Sequence, residues 1–199
     1  MPKRVDVDAR RREIADALLR LAATEGLESV SLRHVAAEAG VSMGAVQHYF
    51  RTKDDMLRFA LEHQARRREQ RIVARLTAAG RPPTVREIIR TSLLEVLPTD
   101  DESRADWLVG IAFFIRAMRD PAMAEVLAEG VPQVVGFFTE QLGAAQADGL
   151  LAPGVDPYQE AVLLWSAVDS QATAIVLGER DPGDAVATVD YYLDRLFVI

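Results

Sequence analysis

The sequence predicts an all-α protein of about nine helices, with an N-terminal three-helix domain ahead of a larger helical body. Three observations carry this. Apolar residues recur at helical spacing along almost all of the 199 residues. No run of alternating β-branched residues occurs, and no Asn-Gly or Asp-Gly turn lies between two such runs. The breaks in periodicity coincide with helix starts and stops: capping acids and hydroxyls, prolines and glycines.

Taken in order, Ile14, Leu18 and Leu21 share one face of a first helix, about 9–25, closed by Gly26. Two short helices follow, about 32–39 and 43–49. A long helix, about 53–79, opens on Thr52-Lys-Asp-Asp55, acidic in its first turn, and stops at Gly80 and Pro82-Pro83. Thr84-Val-Arg-Glu87 is a capping box, in which each end satisfies a free backbone N–H of the first turn. It opens a helix of about 84–97, with Val85, Ile88, Ile89, Leu93, Val96 and Leu97 at helical spacing. Helices of about 102–119 and 121–148 come next, the second started by Asp120-Pro121 and closed by Gly149. Asp156-Pro157 starts a helix of about 157–178, ended by Gly178. The last, about 182–197, carries Val186, Val189, Leu193, Leu196 and Phe197 on one stripe.

Composition narrows the classes. Apolar residues make up 49% and charged residues 27% of the chain, a globular balance that excludes disorder as the main state. There is no cysteine, which excludes disulfides, thiolate-bound zinc, iron–sulfur clusters and thiol nucleophiles. The most apolar stretch, Ala161 to Gly178, is interrupted by Ser166, Asp169, Ser170, Gln171 and Thr173, so no membrane span is expected. The start, Met-Pro-Lys-Arg, lacks the apolar core of a signal peptide. The expectation is a soluble cytoplasmic protein.

The charge is divided. Residues 1–75 hold 15 Lys and Arg against 11 Asp and Glu, a net of +4, whereas residues 76–199 hold 8 against 19, a net of −11. A basic N-terminal third on an acidic body fits a protein that meets a polyanion at one end. Overall acidity argues against non-specific coating of nucleic acid.

Residues 31–55 explain the polyanion. A short helix rich in small residues (Val35, Ala36, Ala37, Ala39) reaches Gly40, which can take the positive φ of a sharp turn. Val41 fills the gap and Ser42 caps a second short helix. This is the layout of a helix-turn-helix, whose second helix enters the major groove. Leu32, Val35, Val46 and Phe50 are expected to face inward against Ile14 and Leu18.

Residues 8–58 resemble the DNA-binding region of the TetR family of bacterial transcriptional regulators. The matching pieces are the helix ending at Glu25-Gly26, the stretch Val35-Ala-Ala-Glu-Ala-Gly-Val-Ser42, Gly44, and Tyr49-Phe50 followed by Lys53. The body resembles the family through its helix count and lengths. The Met43–Phe50 run and the helix around Trp165–Asp169 are most similar to its BetI-like branch. The resemblance implies an all-helical homodimer. Residues 1–52 would bind DNA, and residues 53–199 would bind a small-molecule effector and dimerise. Effector binding would separate the two reading heads.

Ser42, Met43, Gly44, Ala45, Gln47 and His48 begin or line the recognition helix, whose N-terminal residues meet base edges. Gln47 can pair with adenine through N6 and N7, and Ala45 can touch a thymine methyl. Many family members carry Lys, Arg or Pro where this chain has Met43, and Tyr where it has Gln47, so no known operator transfers. Tyr49, Lys53, Ser31 and Arg33 are candidate phosphate contacts, and His48 is a donor to phosphate or base. Arg10, Arg11 and Arg12 either reach phosphates or form a solvated basic tip. Arg66, Arg67, Arg68 and Arg71 point in several directions, which favours a solvated helix over DNA contact.

In the body, Trp107, Phe113, Phe114, Met118, Phe137, Phe138 and Trp165 are either plain core or partly the lining of an effector cavity. Polar residues inside apolar runs are candidate anchors: Arg116, Gln133, Asp169, and with them Ser166, Gln171 and Thr173. Asp169 needs a donor, either a structural partner such as Arg116 or a ligand. With Trp165 one helical turn away, a cationic ligand is favoured if both face the cavity.

No cofactor, metal or catalytic residue is expected. His34, His48 and His63 show no metal-ligand spacing, and neither a phosphate loop nor a nucleophile elbow occurs. The predicted function is a ligand-responsive repressor that binds a palindromic double-stranded DNA operator as a dimer. The competing reading is an all-helical small-molecule carrier or interaction module without specific DNA binding.

Overall fold

The computed structural model describes residues 7–198. Among them are ten helices: α1 (Val7–Glu25), α2 (Leu32–Glu38), α3 (Met43–Tyr49), α4 (Lys53–Thr77), α5 (Val85–Leu94), α6 (Asp101–Ala117), α7 (Pro121–Ala128), α8 (Gly130–Ala147), α9 (Pro157–Val176) and α10 (Pro182–Leu196). The chain divides into two compact units. The first runs up to Arg68 and includes Leu108–Ala124; the second holds Glu69–Trp107 and the chain from Glu125 onward. Both α4 and α6 therefore pass from one unit into the other, whereas the border expected from function lies at 52/53.

The predicted starts are made by the predicted side chains. Thr84 and Glu87 form a reciprocal capping box on α5. Asp156 accepts from the amides of Tyr158 and Gln159, and Asp120 from those of Ala122 and Met123. Each satisfies donors that the first helical turn leaves free.

One expected helix, 121–148, is two. The break falls at Glu129, between α7 and α8. Pro132 explains it: its ring collides with the carbonyl four residues earlier, that of Ala128, so the helix must restart. Gly130, a weak helix former, sits at the restart. The chain end is also tied down in a way that periodicity did not announce. Leu151 and Phe197 form an isolated antiparallel bridge. It is closed by Ala152 N–H to Leu196 O at 2.9 Å and Val198 N–H to Leu150 O at 2.9 Å.

In the first unit, α1, α2 and α3 pack on one another. Ile14, Leu18, Val35, Val46 and Phe50 are fully buried there, and Leu32 half-buried. In the second unit, α8 and α9 make the broadest helix–helix contact, joined by α5 and α10. Its core collects Ile89, Leu93 and Leu97, Phe138 and Leu142, Leu164 and Val168, and Val189 and Leu193. These are the stripes that the periodicity marked, since a helix in a bundle hides one face and leaves the other wet.

Candidate nucleic-acid interface

The helix-turn-helix is built by local bonds. Ser31 caps α2 by accepting from the His34 amide at 3.2 Å, and Ser42 caps α3 by accepting from the Ala45 amide at 3.1 Å. Between them, Gly40 takes φ +66°, and the Val41 amide turns back to the Ala36 carbonyl at 2.9 Å. A Cβ at position 40 would meet nothing, so the backbone conformation alone calls for glycine here.

With Val46 buried, α3 presents its other face outward. Met43, Gly44, Gln47 and His48 are exposed, Ala45 and Tyr49 half-buried. Gln47 has no hydrogen-bond partner among the described residues. The His48 ring stands edge-on to Tyr49, centroids 5.1 Å apart. A Cβ on Gly44 would touch only the Ser42 hydroxyl, at 3.9 Å. Internal packing therefore leaves room for a side chain, and the bare backbone at the start of α3 suits a close approach from outside.

The expected phosphate contacts divide. Ser31 and Ser42 use lone pairs as caps but keep a hydroxyl proton to donate. Arg33 is exposed, with no partner among the described residues. Lys53 is half-buried, and its Nζ donates to the Leu27 carbonyl at 3.4 Å. Burial, and then the nearby positive charge of Arg116, lower the pKa of that ammonium. Two of the N-terminal arginines are occupied elsewhere. Arg10 pairs with Glu13 at 2.5 Å. The Arg11 guanidinium lies over the Phe50 and Phe59 rings, 4.9 and 4.3 Å from their centroids.

The arginine run on α4 is a correction, for it is not simply a solvated face. Arg67 bonds Asp16 at 3.2 Å, beside His63, whose Nε2 donates to the same carboxylate oxygen at 2.9 Å. Arg71 bonds three carboxylates, those of Glu95, Glu102 and Asp106, and Arg75 takes the other oxygen of Glu95. Burial opposes the charge on Arg71, but the hydrogen bonds from Glu95 and Asp106 outweigh it and hold its pKa above the usual value. The signal was present: Glu95 stands inside Leu93-Leu-Glu-Val-Leu97, an acid in an apolar run, and only 4% of it is exposed.

The body residues scatter. Phe113, Phe114 and Arg116 belong to the first unit; Trp107, Gln133, Phe137, Trp165 and Asp169 belong to the second. Phe113 is plain core. Phe114 is 59% exposed and Phe137 39%. Gln133 is exposed, its Nε2 3.4 Å from Glu129 Oε2. Trp107 and Trp165 lie partly buried against the core of the second unit. Arg116 does not pair with Asp169: its Nη2 lies 3.1 Å from Asp54 and 2.9 Å from Asp120. Asp169 is exposed, which corrects the expectation that it needs a donor; its carboxyl has no partner among the described residues, and partial desolvation raises its pKa. A polar cleft in the second unit is lined by Arg71, Arg75, Glu95, Asp100, Glu102 and Ser103, and none of the expected pocket residues reaches it.

A three-helix head with an outward recognition helix, continued by a longer helical body, defines a helix-turn-helix DNA-binding regulator. Residues 14–59 match the family model of the bacterial regulatory proteins of the tetR family, and residues 83–198 match that of the C-terminal region of BetI-type transcriptional repressors. The chain belongs to the TetR family of transcriptional regulators. It is 32% identical over 181 residues to the regulator PksA of Bacillus subtilis, covering 89% of this chain and 83% of that one. It is 26% identical over 196 residues to BetI of Brucella melitensis, covering 97% and 94%. Among solved structures, a regulator from Rhodococcus sp. Rha1 superimposes with a TM-score of 0.72 at 31% identity, over 92% of this chain and 93% of that one. A regulator from Saccharomonospora viridis, solved with choline, shares the fold with a TM-score of 0.81 at 22% identity, over 96% and 99%. No helix among the described residues is long and apolar enough to cross a membrane.

Proposed function

We propose that the chain acts as a homodimeric repressor in the cytoplasm. Two copies of the 1–52 head would read a palindromic operator, and residues 53–199 would dimerise and bind the effector that releases it. The observation that carries this is the outward face of α3. Gln47 is exposed and without an internal partner, on a helix whose caps and buried Val46 fix its orientation. Gln47 pairs with adenine, Ala45 meets a thymine methyl, and Met43 covers an apolar base edge. Arg33, Ser31, Ser42, Gly44, His48, Tyr49 and Lys53 position the backbone. Lys53 does so only after its ammonium leaves the Leu27 carbonyl.

Pairing of two chains is supported by α9. Its face away from the core carries Gln159, Leu163, Ser166, Ser170 and Thr173, continued by the C-cap Leu177, all exposed and spaced four and three apart. Leu163 is 51% and Leu177 65% exposed, with Tyr191 of α10 at 61%. Small residues between apolar ends suit a close helix–helix approach.

The test is selection of random duplex DNA on the purified protein, with the winning sequence retested across salt. A palindrome with half-sites about one helical turn, or a multiple, apart is expected. Gln47→Ala should cost about 1–3 kcal/mol of discrimination at one position and leave the salt slope unchanged. No enrichment over random DNA would move the chain to the carrier reading.

For the effector, Trp165 and the unpaired Asp169, one turn apart on α9, offer a ring face and a carboxylate, a pair suited to an amphipathic cation. The choline complex of the Saccharomonospora regulator points the same way. Choline is the first probe, read as release of the selected palindrome. Release by apolar compounds but not by choline would overturn the cationic assignment.

A further inference from the structure

Arg116 occupies an unusual place within the first unit. It lies near the end of α6, the single helix that begins at Asp101 in the second unit and finishes in the first. Its side chain is only 18% exposed. One nitrogen, Nη2, faces two carboxylates, Asp54 Oδ1 at 3.1 Å and Asp120 Oδ2 at 2.9 Å. Each acid belongs to the start of a different helix. Asp54 is in the first turn of α4, between Lys53 and Asp55. Asp120 caps α7: its other oxygen, Oδ1, accepts from the Ala122 and Met123 amides at 3.2 and 3.3 Å.

The two ends of this bridge are unequal. Asp120 is held by the helix it caps and is 28% exposed, whereas Asp54 is 63% exposed. An exposed ion pair is weak, so the Asp54 end is the one that opens first. A planar guanidinium can serve two carboxylates at once, which a point charge on a flexible stem does less well. The α4 end of the bridge adjoins Lys53, whose ammonium is turned to the Leu27 carbonyl and feels the charge of Arg116.

We propose that Arg116 is a positioning residue for DNA binding: its guanidinium ties the first turn of α4 to the cap of α7, so that a change at the α6–α7 turn is felt at Lys53. This rests on the reading of Lys53 and the N-terminal head as the DNA-contacting side. The bridge fixes the start of α4 in the head's own frame. Drawing Arg116 away frees Asp54, and losing Asp120, the less exposed partner, removes the anchor that holds the guanidinium at Asp54; either loosens the helix start that would present Lys53 to a phosphate.

The test is amide hydrogen exchange on the full chain. The reporters are the amides of Asp55 and Met56, which bond Thr52 at the start of α4, and those of Ala122 and Met123 at the start of α7. Asp120→Asn keeps a capping oxygen but removes the charge. It is expected to speed exchange at Asp55 and Met56 about threefold, the size of one exposed ion pair. Asp54→Asn should do the same at Ala122 and Met123. In an Arg116→Gln background neither substitution should act across the bridge. Cross-effects that are absent in the wild-type background, or that persist without Arg116, would overturn the proposal. If Arg116→Gln does not fold, the two Asn variants in the wild-type background decide alone. Binding to the selected palindrome is a separate readout, and Asp120→Asn should weaken it about threefold. Coupling without any selected palindrome would sink the DNA reading and leave the bridge standing, and a palindrome without coupling would do the reverse.

Discussion

Between Lys53 and Arg68, α4 is held by rings, a histidine and ion pairs to exposed carboxylates, Asp16 and Asp54; between Glu69 and Thr77 it is held by charge gathered on one nearly buried carboxylate, Glu95. In the first stretch, Phe59 is covered by the guanidinium of Arg11 and stacks on His63 at 6.3 Å, and His63 donates to Asp16 of α1. Arg66 lies 5.6 Å from the same Phe59 ring. In the second stretch, Arg71 and Arg75 close on Glu95 at the end of α5, with Glu102 and Asp106 of α6 joining from Arg71's other side. One helix thus belongs to two compact units and is fastened to each by different means. Ion pairs to exposed carboxylates, Asp16 at 37% and Asp54 at 63% exposed, tolerate small shifts, because water takes over what the partner loses. A nearly buried carboxylate bonded by two guanidinium groups does not, because any shift leaves a charge without its partner. The second end of α4 is the one where a lost partner costs most.

Breaking the charged end should have the largest effect. Glu95→Ala removes the acid that two arginines share, and should cost about 3 kcal/mol in urea unfolding. A loss below about 1 kcal/mol would mean that Glu102 and Asp106 suffice for Arg71 and that the clasp is a surface feature. At the aromatic end, His63→Ala loses one hydrogen bond and one ring contact, and about 1–2 kcal/mol is expected. Equal losses at both ends would erase the contrast. A sharper version compares affinity for the selected palindrome. His63→Ala should weaken it more than Glu95→Ala when both are measured well below their melting temperatures, since only His63 adjoins the head.

Acid offers a smaller and more diffuse test of the second unit. Hydrogen bonds from Arg81 and then from Thr84 hold the Glu87 carboxyl down to about 2. Arg90 holds Asp190 below the usual carboxylate range, and the Ser103 amide does so for Asp100. A carboxyl whose folded pKa is depressed stabilises the fold above its unfolded pKa and loses that contribution as pH falls toward the folded value. Helix content reported from α5 and α10 should therefore hold at pH 5 and decline between about 4.5 and 2. A decline that begins above pH 5 would point to groups other than these three.

The corrections share one cause. Arg71, Arg67 and Arg11 read as solvated or DNA-facing because consecutive charges on a helix point in all directions, and periodicity cannot say which direction another helix will occupy. Their partners, Glu95, Asp16 and the Phe59 ring, are 24, 51 and 48 positions away. Of these, only Glu95 left a trace in the sequence, as an acid inside an apolar run. The expected pocket residues dispersed for the same reason: aromatic content marks the interior without saying which unit a residue joins.

What the chain determined alone was local. The caps at Thr84, Asp120, Asp156 and Ser42, the positive φ at Gly40 and the inward set of Ile14, Val35, Val46 and Phe50 depend on neighbours within a few residues, or on a spacing of three and four. Such effects are fixed by backbone sterics and by the unmet donors of a first turn. They sufficed to mark α3 and its outward face. The break at Glu129 also had a local cause, Pro132, and was legible in principle. The tertiary structure decided which unit each half of α4 and α6 joins, where the arginines find their acids, and that Arg116 bridges Asp54 and Asp120 and leaves Asp169 unpaired. Those outcomes depend on charges brought together across long stretches of chain, where the free energy lies in desolvation and geometry that no one-dimensional pattern records.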